Sequence, residues 1–159
     1  MSIIVSGNIL DITEGVIIHQ LNCKGVMGAG LAKQIKLKWP AVFQVYKKHL
    51  SQQGESRALG TISIYNISNS IHVVNLYGQK EYGRAKNITY TNYAAHKTAW
   101  KRIVDWLELS GLDDYMDVYA PYYIGAGLAN GDWQAIHEIA EEHLPNIRWV
   151  KYSNQGFEL

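Results

Sequence analysis

The residues with the greatest chemical potential lie close together: His19, Asn22 and the run Gly28-Ala29-Gly30. An unperturbed imidazole has a pKa of about 6.5, so His19 can take or give a proton near neutrality. A carboxamide both donates and accepts hydrogen bonds, so Asn22 can bind a polar ligand group beside the anion. Gly28-Ala29-Gly30 leads into a predicted helix, whose start leaves about four backbone N–H groups unpaired and carries roughly half a positive charge. With small residues there, no side chain stands between those donors and an anion, and the place suits a phosphate. A second small-residue run, Ile124-Gly125-Ala126-Gly127-Leu128, follows another predicted strand. Together the two runs could cradle a diphosphate from both sides. Neither fits a known phosphate pattern: G-x-x-x-x-G-K-[ST] is absent, and Gly25-Val26-Met27-Gly28-Ala29-Gly30 is not G-x-G-x-x-G. Each run taken alone also reads as a tight turn with no ligand.

The elements that must position these groups follow from periodicity and punctuation. Residues 3–5 read as a short strand closed by Gly7-Asn8. Residues 15–21 read as a second strand, apolar almost throughout, as a strand covered on both faces should be. A helix over 31–39 must stop at Pro40. A further helix over 41–50 places Val42, Val45 and Tyr46 on one face, and Gln52-Gln53-Gly54-Glu55 breaks it. Residues 61–65 and 71–76 form a predicted strand pair, followed by a polar loop over 77–84. A long helix over 91–109 sets Tyr93, Trp100, Ile103, Val104 and Leu107 on one stripe. A strand over 116–120, a helix over 132–144 and a strand over 148–152 complete the chain. Strands alternating with helices predict a layered α/β domain, in which ligands sit beyond the carboxyl ends of the strands. There is no internal repeat, low-complexity tract or linker, so residues 1–159 are expected to form one domain.

Composition narrows the function classes. The 159 residues carry a formal net charge of +1, with 47% hydrophobic residues. Proteins that track a nucleic-acid backbone usually show a basic excess, so nucleic acid is not expected as the main ligand, although a modified nucleic-acid end stays open. Lys33, Lys36 and Lys38 read as a solvated helix face. Cys23 is the sole cysteine, which excludes an internal disulfide and suits a reducing cytoplasm, a host's if the chain is virus-encoded. No signal-like start and no apolar run near the roughly 20 residues of a membrane helix is present, so no membrane association is expected. Cys23 lacks an adjacent base other than Lys24 and reads better as a buried filler than as a nucleophile. His137-Glu138 lacks the second histidine of H-E-x-x-H, and no metal is expected. Tyr77, Tyr82, Tyr122 and Tyr123 are expected around the proposed cleft, mostly as walls.

Taken together, Gly7-Asn8-Ile9-Leu10, His19-Gln20-Leu21-Asn22, Gly28-Ala29-Gly30-Leu31-Ala32 and Ile124-Gly125-Ala126-Gly127-Leu128 resemble a macro domain, the ADP-ribose-binding family. The resemblance runs from Ile3 to Tyr152 in the right element order. It is strongest to the yeast-type ADP-ribose 1″-phosphate phosphatases, followed by hydrolases that release ADP-ribose from glutamate or aspartate side chains. It implies a three-layer α/β/α sandwich with a central mixed β-sheet and no cofactor. It also implies that ADP-ribose is contacted by Asn8, Ile9, Leu21, Asn22, Lys24, Gly25, Val26, Met27, Gly28, Ala29, Gly30 and Leu31. From the C-terminal half, Ile124, Gly125, Ala126, Gly127, Leu128 and Tyr152 complete that contact set. Asn8 stands where many members carry an aspartate for the adenine amino group. Ala129 stands where the glutamate-directed hydrolases carry a catalytic aspartate, and Lys80 is the match to their catalytic lysine.

The expected reaction is hydrolysis of ADP-ribose 1″-phosphate, with His19 and Asn22 as catalytic residues and the loop amides taking up phosphate charge. A non-catalytic ADP-ribose reader and a hydrolase acting on ADP-ribosylated protein remain the alternatives. The same side chains also have plainer readings: His19 as a core histidine at a strand end, Asn22 as a turn-maker, Lys80 as a solvated charge.

Overall fold

β-branched and aliphatic residues dominate the segments that become strands, and the sheet they build sets the geometry of everything else. The computed structural model describes residues 2–157. Its six strands are β1 (Ile3–Gly7), β2 (Gly15–Leu21), β3 (Ile62–Asn66), β4 (Ile71–Tyr77), β5 (Val118–Pro121) and β6 (Arg148–Tyr152). They lie in the order β1-β6-β5-β2-β4-β3. Only β3 and β4 run antiparallel; every other pairing is parallel, so the sheet is mixed. β2 is central, pairing with β4 along its whole length and with β5 near its start.

Successive side chains of a strand point to opposite faces, and β2 shows what each face carries. Val16 and Ile18 pack into a core with Trp100, Ile103, Ile136 and Trp149. Ile17 and Leu21 pack into a second core with Ile35, Val42, Tyr46 and Val73. The first core is roofed by α4 (Tyr93–Leu109) and α5 (Trp133–His143), the second by α1 (Gly30–Lys38) and α2 (Pro40–Gln53). This is a three-layer α/β/α arrangement. Val104, expected on the buried stripe of α4, is only half-buried, while His96 of that helix is fully buried.

The element ends have local causes. α1 stops at Lys38 because Pro40 opens the next helix, with Trp39 as the non-helical joint between them. α4 begins at Tyr93, later than expected, because the Asn92 side chain accepts from the Ala95 amide at 2.9 Å and caps it. Asp132 caps α5 in the same way through the Gln134 amide at 3.0 Å. The break expected after residue 52 instead contains one helical turn, α3 (Glu55–Ala58). β5 starts two residues later than expected, leaving Met116 in the turn before it. α1 differs from α4 and α5 in one respect: its first turn starts from Ala29, with no side-chain cap.

Candidate active site

At the carboxyl ends of β2 and β5 lies a cleft of about 740 Å³. One wall is Asn22, Val26 and residues 28–32; the opposite wall is residues 121–125 and 127–129. Its floor includes His19 and Gln20, and Gln79, Tyr82, Gly83 and Arg84 close one end. No carboxylate lines it, and Arg84 is its one cationic side chain among the described residues. A second cavity of about 410 Å³ shares Leu31, Pro121, Tyr122 and Tyr123 with the first and is otherwise lined by residues including Asn8, Ile9 and Tyr152. The two form one elongated depression across the strand ends.

The first loop is held in shape by its own side chains. The Asn22 amide nitrogen donates to the Val26 carbonyl at 2.8 Å, and its Oδ1 accepts from the Lys24 amide at 2.9 Å. Tyr46, buried on α2, is the hub behind them. Its hydroxyl lies 2.6 Å from Asn22 Oδ1 and 2.8 Å from the Asn22 carbonyl, and it accepts from the amides of Gly25 at 2.9 Å and Val26 at 3.1 Å. Asn22 is therefore a loop-shaping residue that keeps one amide hydrogen for a ligand. Beyond Val26 the amides of Gly28 to Ala32 have no acceptor among the described residues, because α1 starts without a side-chain cap. Gly30 has φ +57, and a Cβ there would meet nothing within 4 Å, so glycine is required by backbone conformation rather than by space.

The second loop turns tightly on itself. Ile124 donates to Pro121 at 3.0 Å, Ala126 to Tyr123 at 2.8 Å and Gly131 to Gly125 at 2.9 Å. These bonds leave the amides of Gly125, Gly127 and Leu128 without an internal acceptor among the described residues. Two non-glycine residues, Tyr123 (φ +67) and Asn130 (φ +59), adopt the left-handed conformation to make these turns. Asn130 also donates to the carbonyls of Ala85 and Ile88, at 2.9 and 2.8 Å, and ties the polar loop to this one.

His19 is 2% exposed. Its Nε2 lies 2.6 Å from Asn75 Oδ1, and the Asn75 amide nitrogen donates to Ser63 Oγ at 3.1 Å. Nε2 therefore carries the hydrogen, and Nδ1 is buried with a lone pair that has no partner among the described residues. Burial lowers its pKa to about 4, against a partly offsetting hydrogen bond donated to Asn75 Oδ1. The expectation that both protonation states are available near neutrality is corrected: burial keeps the imidazole of the free protein neutral there.

Other expected contacts fall at different depths. Leu21, Val26, Gly28, Ala29, Gly30, Leu31, Ile124, Gly125, Gly127 and Leu128 all border the main cleft, and Asn8, Ile9 and Tyr152 border the adjoining cavity. Met27 is buried in the core beneath the loop, while Lys24, Gly25 and Ala126 lie outside the lining. Lys24 is engaged with Glu55 at 2.8 Å. Lys80 is exposed and borders neither cavity; its backbone carbonyl accepts from the Cys23 amide at 3.0 Å. Tyr82, Tyr122 and Tyr123 are walls as expected, but Tyr77 is fully buried and bonded to Ser63 at 2.8 Å. Cys23 is buried too, and burial pushes its thiol up to about 11. Among the described residues no cluster of three or more His, Cys, Asp or Glu could hold a metal ion, and no helix is long and apolar enough to cross a membrane.

No protein-family model matches the chain. It is 24% identical over 157 residues to the DNA ADP-ribosyl glycohydrolase of Mycobacterium tuberculosis, a match covering 95% of this chain and 42% of that protein. The chain thus spans about two-fifths of the length of this relative. It is also 24% identical over 169 residues to the ADP-ribose 1″-phosphate phosphatase of Saccharomyces cerevisiae, covering 93% of this chain and 96% of that one. Among solved structures, the macrodomain of Mycobacterium tuberculosis DarG superposes with a TM-score of 0.74 at 21% identity, covering 98% of this chain and 99% of that one.

Proposed function

This chain has the macrodomain fold, and on that premise we propose that it binds ADP-ribose along the cleft and hydrolyses ADP-ribose 1″-phosphate to ADP-ribose and phosphate. The observation that carries this reading is the pair of facing amide clusters, residues 28–32 on one side and Gly125, Gly127 and Leu128 on the other, in a cleft without a carboxylate. A wall rich in donors and poor in acceptors complements a diphosphate. In this arrangement the diphosphate lies between the loops, the adenine end reaches the cavity at Ile9 and Tyr152, and the distal ribose meets Asn22 and His19.

Hydrolysis adds one water, breaks the bond between the anomeric oxygen and phosphate or the sugar carbon, and returns a proton to the group that leaves. The backbone amides stabilise charge on the phosphate oxygens, as fixed dipoles in a site that needs no reorganisation. Asn22 holds a ribose hydroxyl with its remaining amide hydrogen. His19 Nδ1, a neutral acceptor, orients the attacking water and takes up its proton as the bond forms, and the imidazolium so formed gives that proton to the leaving oxygen. The yeast relative, matched along nearly its whole length, supports this choice of substrate.

A second reading is release of ADP-ribose from a modified macromolecule. It is favoured by the mycobacterial relative and by the exposed Tyr82 and Arg84 in the cleft wall, where a bulky carrier has access. In its glutamate-directed form it requires Lys80 to turn toward the ribose.

The test is direct incubation with ADP-ribose 1″-phosphate, with ADP-ribosylated protein and with ADP-ribosylated DNA, assaying phosphate and free ADP-ribose. Phosphate release from the first alone is the expected result. Free ADP-ribose from a macromolecule alone would replace the phosphatase reading with the second. Calorimetric binding of ADP-ribose without turnover would leave a reader.

A further inference from the structure

On the sheet face opposite His19, a line of polar side chains runs from the core, where Trp100, His96 and Thr91 are buried, through the half-buried Gln20 to the second glycine loop. Trp100 Nε1, which can only donate, lies 3.1 Å from His96 Nδ1. His96 Nε2 must then carry the ring hydrogen, and it lies 2.5 Å from Gln20 Oε1. That contact fixes the Gln20 amide, whose nitrogen donates to Gln79 Oε1 at 2.7 Å and to Thr91 Oγ1 at 3.1 Å. The Thr91 hydroxyl in turn donates to the Gly125 carbonyl at 2.6 Å. Every hydrogen bond in the series points the same way, from an indole that cannot reverse to a loop carbonyl at the cleft.

The surrounding backbone leaves room for this line only because it lacks side chains. A Cβ at Gly78 would sit 2.5 Å from Gln20 Oε1 and 2.7 Å from His96 Nε2, and one at Gly125 would sit 2.7 Å from Gln20 Oε1. At Gly131 a Cβ would fall 2.5 Å from the Gly125 carbonyl and 3.0 Å from Thr91 Cβ. We propose that Gln20, oriented by His96, and Thr91 are positioning residues: they draw the Gly125 carbonyl inward and so hold the neighbouring amides toward the ligand, while the other Gln20 hydrogen sets the Gln79 end of the cleft. Neither residue needs to touch the reacting atoms. In its affinity readout the inference rests on the proposed binding of ADP-ribose, and in its loop readout it does not.

Thr91→Val keeps the shape and removes the hydroxyl, and Thr91→Ser restores it. In the ligand-free protein, amide exchange at Gly131, which donates to the same Gly125 carbonyl, is expected to quicken about tenfold in Thr91→Val and to return toward wild type in Thr91→Ser. The dissociation constant for ADP-ribose is expected to rise about tenfold in Thr91→Val and to recover in Thr91→Ser, with the protein folded throughout by its denaturant midpoint. If Thr91→Val loses its cooperative transition, Thr91→Ala makes the same comparison without a methyl group in the hydroxyl's place. A folded variant with unchanged Gly131 exchange overturns the proposal, as does unchanged affinity alongside tight wild-type binding. If the wild type itself binds no ADP-ribose, the proposed function fails, and the exchange arm alone decides the positioning role.

Discussion

At the level of single residues, burial changes what His19 can do. A neutral imidazole with its hydrogen held by Asn75 offers only a lone pair until it has taken up a proton. His19→Ala is expected to lower turnover by about a hundredfold, in the range of a lost acid–base group, with ADP-ribose affinity changed far less. Steady-state kinetics beside calorimetry separate the two effects, and an unchanged kcat removes His19 from the reaction. The same burial couples folding to pH. His19 and His96 both fall to about 4 in the folded chain, against 6.5 for a free imidazole, mainly through desolvation. The unfolded chain therefore binds protons in that interval that the folded chain refuses. Their stabilisation is complete above about pH 6.5 and is lost as pH falls toward 4, on the order of 3 kcal/mol for each. Urea midpoints measured at pH 7.5 and pH 5 should decline accordingly, and equal midpoints would show that these rings are not buried neutral.

What could be read from the chain at this scale was local. His19, Asn22 and the two glycine runs announce themselves because their signals occupy a few adjacent positions. Tyr46 does not, since it sits 24 residues from the Asn22 side chain it holds and its helical spacing advertises only a core residue. Gln20, Thr91 and His96 escape for the same reason: their partners are 71 and 76 residues apart, and only the sheet brings them together. The neutral state of His19 was also hidden, because a pKa depends on depth, which the strand pattern suggests but does not measure. Tyr46→Phe should expose the cost of overlooking it. Four polar groups of the first loop lose their shared partner, and a drop in stability of about 1–3 kcal/mol is expected. Thermal denaturation is the check, with weaker ADP-ribose binding accompanying it.

At the level of elements, the start of α1 is the informative departure. α4 and α5 begin on capping side chains, and α2 begins on a proline, whereas α1 begins on Ala29 with its amides bare toward the cleft. Helix periodicity made α1, α2, α4 and α5 legible, and the one-turn α3 was not, since a single turn has no period to detect. Ala29→Asp tests what the bare start is for. An N-cap carboxylate is expected to stabilise the free protein by about 0.5–2 kcal/mol through the orphan amides. The same carboxylate occupies the place of the ligand anion and repels it, so ADP-ribose affinity should fall by an order of magnitude or more. A rise in melting temperature joined to a loss of binding is the expected pair; a rise with binding intact would place the anion elsewhere.

At the level of the whole molecule, the parallel arrangement of β2 beside β5 puts the two glycine loops at the same end of the sheet. Alternation of strands and helices predicted that layering, and the short link between residues 61–65 and 71–76 predicted the β3–β4 pair, but the strand order became known only from the pairing itself. A ligand held by both loops ties the two cores through the strands between them. Saturation with ADP-ribose at a hundred times its dissociation constant should therefore stabilise the protein by about 2.7 kcal/mol, read as an upward thermal shift. The position of Cys23 bears on the surroundings in which such a protein can work. Its thiol is sealed beneath the first loop and strongly reluctant to ionise, so the cleft offers alkylators and peroxides no sulfur to attack. Iodoacetamide applied to the folded chain should leave both mass and ligand affinity unaltered, whereas the same reagent added in denaturant should label the single thiol.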